Sequence, residues 1–264
     1  MRRVMSVATS DSGAGAGIQA DLTAFLRCGV YGTTAIVATT AQNTVGVTDI
    51  YPFPPEVGVK QIEAIVSDIG ADAVKSGMLF NAPIISAVAG AVRRLRLPNL
   101  VVDPVMVAES GAILLEAEAV ETYKGELFPL AAVITPNLNE AFALLGEEMD
   151  EGLVEDCAVA LKAYGPGAVV VTGGHTASGA DLLYDGRGFE RIEGPVHPSE
   201  NTHGAGCTHS SALASYLARG FDLPEAARRA RSVASEAVRH GLGGIGAGAG
   251  PVHALGGLLE GVER

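Results

Sequence analysis

The chain has 264 residues, with 30 acidic against 18 basic side chains and a formal net charge of −12. This length is enough to bury one large hydrophobic core, so we expect a single α/β domain over residues 1–264. The negative charge and the lack of a Lys/Arg-rich run argue against a nucleic-acid partner. No apolar run is long enough for a signal peptide or a membrane span, and the three cysteines lack metal-ligand spacing. The sequence therefore predicts a cytoplasmic protein with no membrane or nucleic-acid partner.

Apolar, β-branched segments predict buried strands, and segments with helical periodicity separate them. The predicted strands are 4–8, 33–42, 72–78, 99–105, 131–137 and 167–173. Alternation of this kind predicts an α/β fold in which a parallel sheet has helices on both faces. Ligands of such sheets bind at the carboxyl ends of the strands. The polar residues that close the strands are therefore candidates for a binding site: Asp11, Gln42, Asp103 and Asn137.

The first glycine-rich loop, "SDSGAGAGIQAD" (10–21), follows the first predicted strand and precedes a helix. Its glycines are spaced GxGxG rather than GxGxxG, so the dinucleotide-binding fingerprint is absent, and no GxxxxGK[ST] motif occurs. A flexible strand-to-helix turn explains the loop equally well. Asp21, an acid between Ala20 and Leu22, is the feature that such a turn does not explain.

Two later segments place carboxylates near strand ends. "VVDPVMVAESG" carries Asp103 before a proline, which keeps Asp103 extended, and "TPNLNEA" carries Asn137 and Glu140 three residues apart. One or two carboxylates with waters are the usual protein ligands of magnesium on a polyphosphate. Glu140 is also a residue that simply favours the first turn of a helix.

The segment "NTHGAGCTHSSALAS" (201–215) has small residues directly before a cysteine at the predicted start of a helix. Gly204, Ala205 and Gly206 allow a ligand to approach the backbone, and the first N–H groups of a helix attract anions such as phosphate. The same field favours the thiolate of Cys207 and predicts a lowered pKa, as a general base requires. Cys207 as a small apolar packing residue is the alternative. Together with the carboxylates, the segment makes phosphoryl transfer the leading reaction class.

The motifs resemble, in their order, those of the hydroxymethylpyrimidine and hydroxymethylpyrimidine-phosphate kinases of thiamine biosynthesis. They are "SDSGAGAGIQAD", "TAQNT", "KSGML", "DPVMVAESG", "TPNLNEA", "GGH", "NTHGAGCT" and "GAGPVH". The resemblance extends over nearly the whole chain. It implies a ribokinase-like three-layer α/β/α fold with a mostly parallel central sheet and no separate lid domain. It also implies use of ATP and Mg²⁺, and commonly a homodimer.

The resemblance assigns roles to the matching positions. It implies an anion hole formed by Gly204, Ala205, Gly206 and Cys207. It also implies that Cys207 takes the proton of the substrate hydroxymethyl group. It implies a pyrimidine pocket lined by Ala16, Asp21, Gln42, Met78 and Val105. It implies nucleotide contacts from Asn137, Glu140 and Thr172, and magnesium held by Asp103 and Glu140.

The chain departs from the family pattern, which usually reads IAGSD, VAKSG, VKGGH and KNTHGTGCT. The corresponding positions hold Thr9, Glu109, Thr172, and Glu200 with Ala205. The loss of three lysines makes the surroundings of the phosphates more negative, which predicts that the neutral alcohol is preferred over its monophosphate. Two alternatives stay open: a pyridoxal or pyridoxine kinase of the same fold, and a pyrimidine-binding protein with weakened catalysis.

Overall fold

A computed structural model describes residues 1–108, 111–112, 114–116, 118–146, 151–173 and 179–258. Within these residues nine strands form one sheet: β1 (Arg3–Asp11), β2 (Tyr31–Gln42), β3 (Val47–Pro52), β4 (Ala73–Ser76), β5 (Leu100–Val102), β6 (Val133–Ile134), β7 (Val169–Val171), β8 (Asp181–Tyr184) and β9 (Phe189–Ile192). The order across the sheet is β3-β2-β1-β4-β5-β6-β7-β8-β9.

The α-helices of the described residues are α1 (Gly17–Arg27), α2 (Pro55–Asp68), α3 (Ala82–Leu95), α4 (Ala119–Thr122), α5 (Leu138–Leu145), α6 (Val154–Lys162), α7 (Ala205–Ala218) and α8 (Leu223–Arg239). A π-helical turn (Tyr123–Leu127) and a 3₁₀ turn (Phe128–Leu130) extend α4, and two more 3₁₀ turns lie at Glu151–Leu153 and Gly256–Leu258. None of these helices is long and apolar enough to cross a lipid bilayer.

Helices cover both faces of the sheet because successive strand residues point to opposite sides. Met5 and Val7 of β1 pack in the cluster that contains α2, α3, α5 and α6, whereas Val4 packs in the cluster with α1, α7 and α8. Five adjacent pairs are parallel: β2 with β1, β1 with β4, β4 with β5, β5 with β6, and β6 with β7. The predicted layered α/β fold with a mostly parallel sheet is therefore observed.

Each of the six predicted strands is present, but β3, β8 and β9 were not predicted. These three pair antiparallel at the two edges of the sheet. In β3 and β9 exposed and half-buried residues dominate, so the sequence lacks the continuous apolar run that marks a buried strand. The two antiparallel edges agree with the expected mostly parallel sheet, but the three strands that form them are additions to the predicted set.

Candidate active site

A cavity of about 320 Å³ lies at the carboxyl ends of the parallel strands. Its lining includes residues that end or follow β1, β2, β5, β6 and β7, namely Asp11, Gln42, Asp103, Asn137 and Thr172. The start of α7 closes the cavity, with Gly204 and Cys207 among the lining residues. The predicted strand-end candidates therefore meet at one place, as expected for a parallel sheet.

The backbone around Gly204 sets the start of α7. Gly204 is the N-cap residue with φ of 87°, and a Cβ there would lie 1.9 Å from the carbonyl oxygen of Gly15. Only glycine fits both constraints. No side chain caps the helix, and the amide of Ala205 donates to the Thr202 carbonyl at 3.0 Å. The N–H group of Ala205 is therefore already hydrogen-bonded within the protein and is not available to the expected anion hole. A Cβ at Gly206 would meet no other atom within 4 Å, so the space next to this residue is open.

Cys207 is half-buried in the first turn of α7 and lines the cavity. Burial raises the pKa of its thiol to about 12, and the charges of Asp103 and Asp21 add to this effect. Lys75 and a hydrogen bond from the Gly17 amide act in the opposite direction. The predicted lowering of this pKa by the helix dipole is therefore wrong, because desolvation and two carboxylates outweigh a dipole of modest strength.

Asp103 and Glu140 form a carboxylate pair at the cavity. Glu140 and Asn137 cap α5 reciprocally, each accepting the other's backbone amide at 2.9 Å, which explains the three-residue spacing in the sequence. Burial raises the pKa of Glu140 to about 8, and the charge of Asp103 raises it further. Burial also raises the pKa of Asp103, whose Oδ2 accepts a hydrogen bond from Ser210 at 2.8 Å. The donors around this pair do not offset its burial, so ionisation of the two carboxyl groups is disfavoured in the free protein.

Asp21 does not line the cavity, which corrects the role implied for it in the pyrimidine pocket. Its side chain is fully buried beneath the cavity and accepts hydrogen bonds from Ser6 at 2.5 Å and Ser211 at 2.7 Å. Lys75 is also fully buried, and its Nζ donates to Asp21 Oδ1, the oxygen that accepts from Ser211, at 2.8 Å. With its oxygens occupied by protein donors, Asp21 lies behind the cavity wall and not on its surface.

The opposite wall of the cavity is built around Asp11. Its carboxylate accepts the amides of Gly13, Gly15 and Ala16 at 2.7, 3.1 and 2.9 Å, and lies 3.2 Å from His203 Nε2. Burial opposes ionisation, but the His203 contact and the amides outweigh it and keep the pKa of Asp11 below its usual value. The glycine-rich loop is therefore wrapped around a carboxylate, which explains its spacing.

Gln42 lies on the same wall. Thr40 donates to its Oε1 at 3.1 Å, and its Nε2 is 3.5 Å from His203 Nε2. The side chain is half-buried and lines the cavity, as expected, together with the predicted pocket residues Ala16, Met78 and Val105.

Comparison with known proteins identifies the family of this chain. The family model for phosphomethylpyrimidine kinase matches residues 11–253. The chain belongs to the phosphomethylpyrimidine kinase family. A hydroxymethylpyrimidine/phosphomethylpyrimidine kinase of Haemophilus influenzae is 43% identical, with 96% of each chain covered. The thiamine biosynthesis bifunctional protein ThiED of Geobacter sulfurreducens is 46% identical over 95% of this chain, which spans 51% of that longer protein.

Two solved structures show the same fold. The ADP complex of a Bacillus subtilis pyridoxal kinase matches with a TM-score of 0.90 and 34% identity, covering 98% of this chain and 99% of that one. A phosphomethylpyrimidine kinase from Clostridium difficile matches with a TM-score of 0.79 and 37% identity, covering 90% and 100%. The predicted family and the ribokinase-like fold are confirmed, and so is the prediction of a kinase.

The departures from the family pattern lie in different places. Thr9 is buried, donates to the Met78 carbonyl at 3.1 Å and lines the cavity, and Thr172 is half-buried at its other side. Glu200 is exposed and borders a separate shallow depression with Asn201 and residues 243–244 and 247–249. Glu109, and Gly174 and His175 of the "GGH" motif, lie outside the described residues.

Sequence reasoning missed several polar residues of the site. Lys75, His203, His209, Asp181 and Arg231 all line the cavity. His209 Nε2 lies 3.1 Å from Asp181 Oδ2, and Arg231 donates to the Gly179 carbonyl at 2.6 Å. A charged residue inside a predicted buried strand, such as Lys75 in "DAVKSGM", was the available signal for at least one of them.

Proposed function

We propose that the protein transfers a phosphoryl group from ATP to the hydroxymethyl group of 4-amino-5-hydroxymethyl-2-methylpyrimidine, its monophosphate, or both. The observation that carries this proposal is the meeting of three features in one cavity: the uncapped start of α7 with Cys207, the Asp103–Glu140 pair, and the amide of Gln42. The family and the kinase named for its relatives support the same reaction.

The start of α7 is suited to the phosphates. Its first-turn N–H groups lack helical acceptors and carry the positive end of the helix dipole. Gly206 has open space where a side chain would otherwise block an anion. Donors placed where negative charge develops stabilise the transition state of phosphoryl transfer.

The Asp103–Glu140 pair fits magnesium. Burial raises both pKa values, and the charge of Asp103 raises that of Glu140, so a divalent cation would supply the positive charge that the ionised carboxylates lack in the free protein. No cluster of three ligating side chains occurs in the described part of the chain, which agrees with an ion held partly by phosphate and water. When bound, Mg²⁺ neutralises charge on the nucleotide phosphates.

Cys207 takes the proton of the substrate hydroxyl group. Because its pKa is about 12 in the free protein, the thiol is protonated there. It must first lose this proton to solvent, since only the thiolate can accept the proton of the substrate hydroxyl group. Positive charge near Asp103 removes one of the influences that raise this pKa. Proton transfer to Cys207 is therefore coupled to charge balance at the carboxylate pair.

Gln42 and the wall behind it recognise the pyrimidine. The amide group offers a donor and an acceptor to a ring nitrogen and an exocyclic amino group. Ala16, Met78 and Val105 supply small or apolar surface around the ring. Asn137 and Thr172, which are joined by an isolated β-bridge, are placed to contact the nucleotide phosphates.

The broader assignments follow from the same family. One continuous sheet supports a single kinase domain over residues 1–264, without a separate lid. Exposed aromatic side chains on β2 and on the edge strand β3, Tyr31 and Tyr51, are surface that a homodimer would bury. The protein acts in the cytoplasm on a small-molecule substrate and a nucleotide, with no nucleic-acid or membrane partner.

A parallel kinase assay tests the substrate. Hydroxymethylpyrimidine, its monophosphate and pyridoxal are compared by specificity constant with Mg·ATP as donor. We expect the neutral pyrimidine alcohol to be preferred over its monophosphate, because Thr172 supplies no positive charge to an anionic substrate. A preference for pyridoxal would favour the alternative function, a pyridoxal or pyridoxine kinase. The similarity to the pyridoxal kinase structure supports this alternative. Absence of turnover with all three would refute the kinase proposal.

A further inference from the structure

Lys75 lies beneath the cavity in a setting that is costly for a charged group. The side chain is fully buried in β4, and its Nζ donates to Asp21 Oδ1 at 2.8 Å and lies 3.8 Å from Asp103 Oδ2. A buried ion pair of this kind is often no more stable than apolar residues of similar volume. Stability alone is therefore a weak reason for a lysine in a fully buried strand.

The two carboxylates that Lys75 contacts are each bound to the same helix. Ser211 donates to Asp21 Oδ1 at 2.7 Å, and Ser210 donates to Asp103 Oδ2 at 2.8 Å. Both serines follow Cys207 by about one turn of α7. Lys75 thus joins α1, the segment after β5 and the beginning of α7 through one connected set of hydrogen bonds and charges.

Cys207 is sensitive to this set of charges. Asp103 and Asp21 raise the pKa of its thiol, and Lys75 is the cation that opposes them. A Cβ on Gly77 would lie 2.8 Å from Lys75 Nζ, so the backbone after β4 also fixes where the ammonium group lies.

We propose that Lys75 is a positioning residue for phosphoryl transfer: it holds Asp103 against the beginning of α7 and, through the Asp21–Ser211 and Asp103–Ser210 hydrogen bonds, places positive charge beside the part of α7 that carries Cys207. The inference rests on the proposed kinase function. Although Lys75 borders the cavity, its side chain has no solvent-exposed surface and its ammonium group is directed to Asp21 and Asp103, so it acts through these neighbours rather than on substrate. The competing explanation is that Lys75 serves only to neutralise buried Asp21.

A paired substitution separates the two explanations. Lys75→Met leaves two buried carboxylates without a cation and is expected to lower thermal stability. Lys75→Met combined with Asp21→Asn replaces the ion pair by neutral groups of similar size and is expected to restore stability. Under our proposal kcat of the double variant stays about tenfold or more below wild type, while KM for the pyrimidine alcohol stays within about threefold. Exposed Lys60, changed to Met, is the control for loss of a lysine.

A double variant that recovers stability and has kcat within about threefold of wild type would overturn the proposal. That result would show that Lys75 only neutralises Asp21.

Alkylation of Cys207 by iodoacetamide tests the same inference without the kinase reaction. Cys28 and Cys157 are buried, so the fast-reacting thiol is Cys207. Since Lys75 lowers the pKa of Cys207 more than Asp21 raises it, the stable double variant is expected to react about threefold or more slowly at pH 8. Equal or faster alkylation would contradict the proposal. A wild-type protein that phosphorylates no pyrimidine would refute the proposed function, and this measurement would still decide whether Lys75 supports Cys207.

Discussion

Two carboxylate sites face the same cavity and differ in how their charge is balanced. Asp11 accepts three backbone amides and contacts His203, and its pKa lies below the usual value despite burial. Asp103 and Glu140 have fewer donors, and burial raises both pKa values. The protein's own groups stabilise the ionised form of the first site, whereas the donors at the second site do not offset its burial and ionisation there is disfavoured.

Under the proposed function, this difference separates a recognition wall from a reactive wall. The recognition wall consists of Asp11, His203 and Gln42, whose hydrogen bonds fix the loop and the amide in place. The reactive wall consists of the Asp103–Glu140 pair and Cys207, whose protonation depends on nearby charge. Substitutions on the reactive wall should therefore change kcat, and substitutions on the recognition wall should change KM.

The largest effect is expected for Cys207→Ala. Loss of the group that accepts the substrate proton should lower kcat about 100-fold or more, while pyrimidine binding is retained. Steady-state kinetics with binding measured by calorimetry would check both. Cys157→Ala, at a buried cysteine away from the cavity, is the control for loss of a thiol. Near-wild-type turnover of Cys207→Ala would mean that this thiol is only a packing residue.

The same comparison shows what the sequence could and could not reveal. Apolar runs predicted the parallel strands, and their ends predicted the cavity, because strand order places carboxyl ends together. The charge balance could not be predicted, since the pKa of Cys207 depends on Asp21 and Lys75, which come from distant segments. The position of Asp21 was missed for the same reason: its partners Ser6 and Ser211 are 15 and 190 residues away.

The second prediction concerns stability against pH in metal-free protein. Glu140 has a folded-state pKa of about 8 against an ordinary value of 4.5, so its stabilising contribution is complete below pH 4.5 and decreases as pH rises to 8. We expect a loss of about 2–3 kcal/mol between pH 5 and pH 8, measured by urea unfolding with EDTA present. Glu140→Gln, which can still cap α5, should reduce this slope, leaving the part that comes from Asp103.

Asp11 has the opposite sign and is the control. Its lowered pKa gives stability that is present above about pH 4 and is lost as pH falls below that value. Asp11→Asn should therefore leave the slope between pH 5 and pH 8 unchanged. An identical slope in wild type and Glu140→Gln would show that Glu140 is ionised in the free protein and would remove the distinction between the two sites.

The third prediction tests the recognition wall. Gln42→Ala should weaken binding of the pyrimidine alcohol by about 1–3 kcal/mol, because the polar edge of the ring loses its partners. The expected pattern is a raised KM with kcat nearly retained. Calorimetric titration of the alcohol into the nucleotide-free protein gives the affinity directly. Unchanged affinity would place the ring elsewhere in the cavity. A loss confined to kcat would show that Gln42 affects the reaction itself, and the distinction between the recognition wall and the reactive wall would be wrong.

The smallest effect is expected for Thr172→Lys, which should raise the affinity for ATP. The substitution adds positive charge to the cavity that Asp103 and Glu140 also line. Thr172 lies directly after β7, lines the cavity, and its amide donates to the Pro136 carbonyl at 2.9 Å beside Asn137. One charge about 6 Å from a phosphate, at an effective dielectric near 20, is worth about 3 kcal/mol before screening. Salt and the ordering of a flexible side chain reduce this to about 1 kcal/mol, or roughly fivefold in affinity. Titration of a non-hydrolysable ATP analogue with Mg²⁺ at two ionic strengths measures the gain, which should decrease with added salt. Thr172→Met controls for the added bulk, and equal affinity of the Lys and Met variants would show that position 172 is too far from the phosphates to balance their charge.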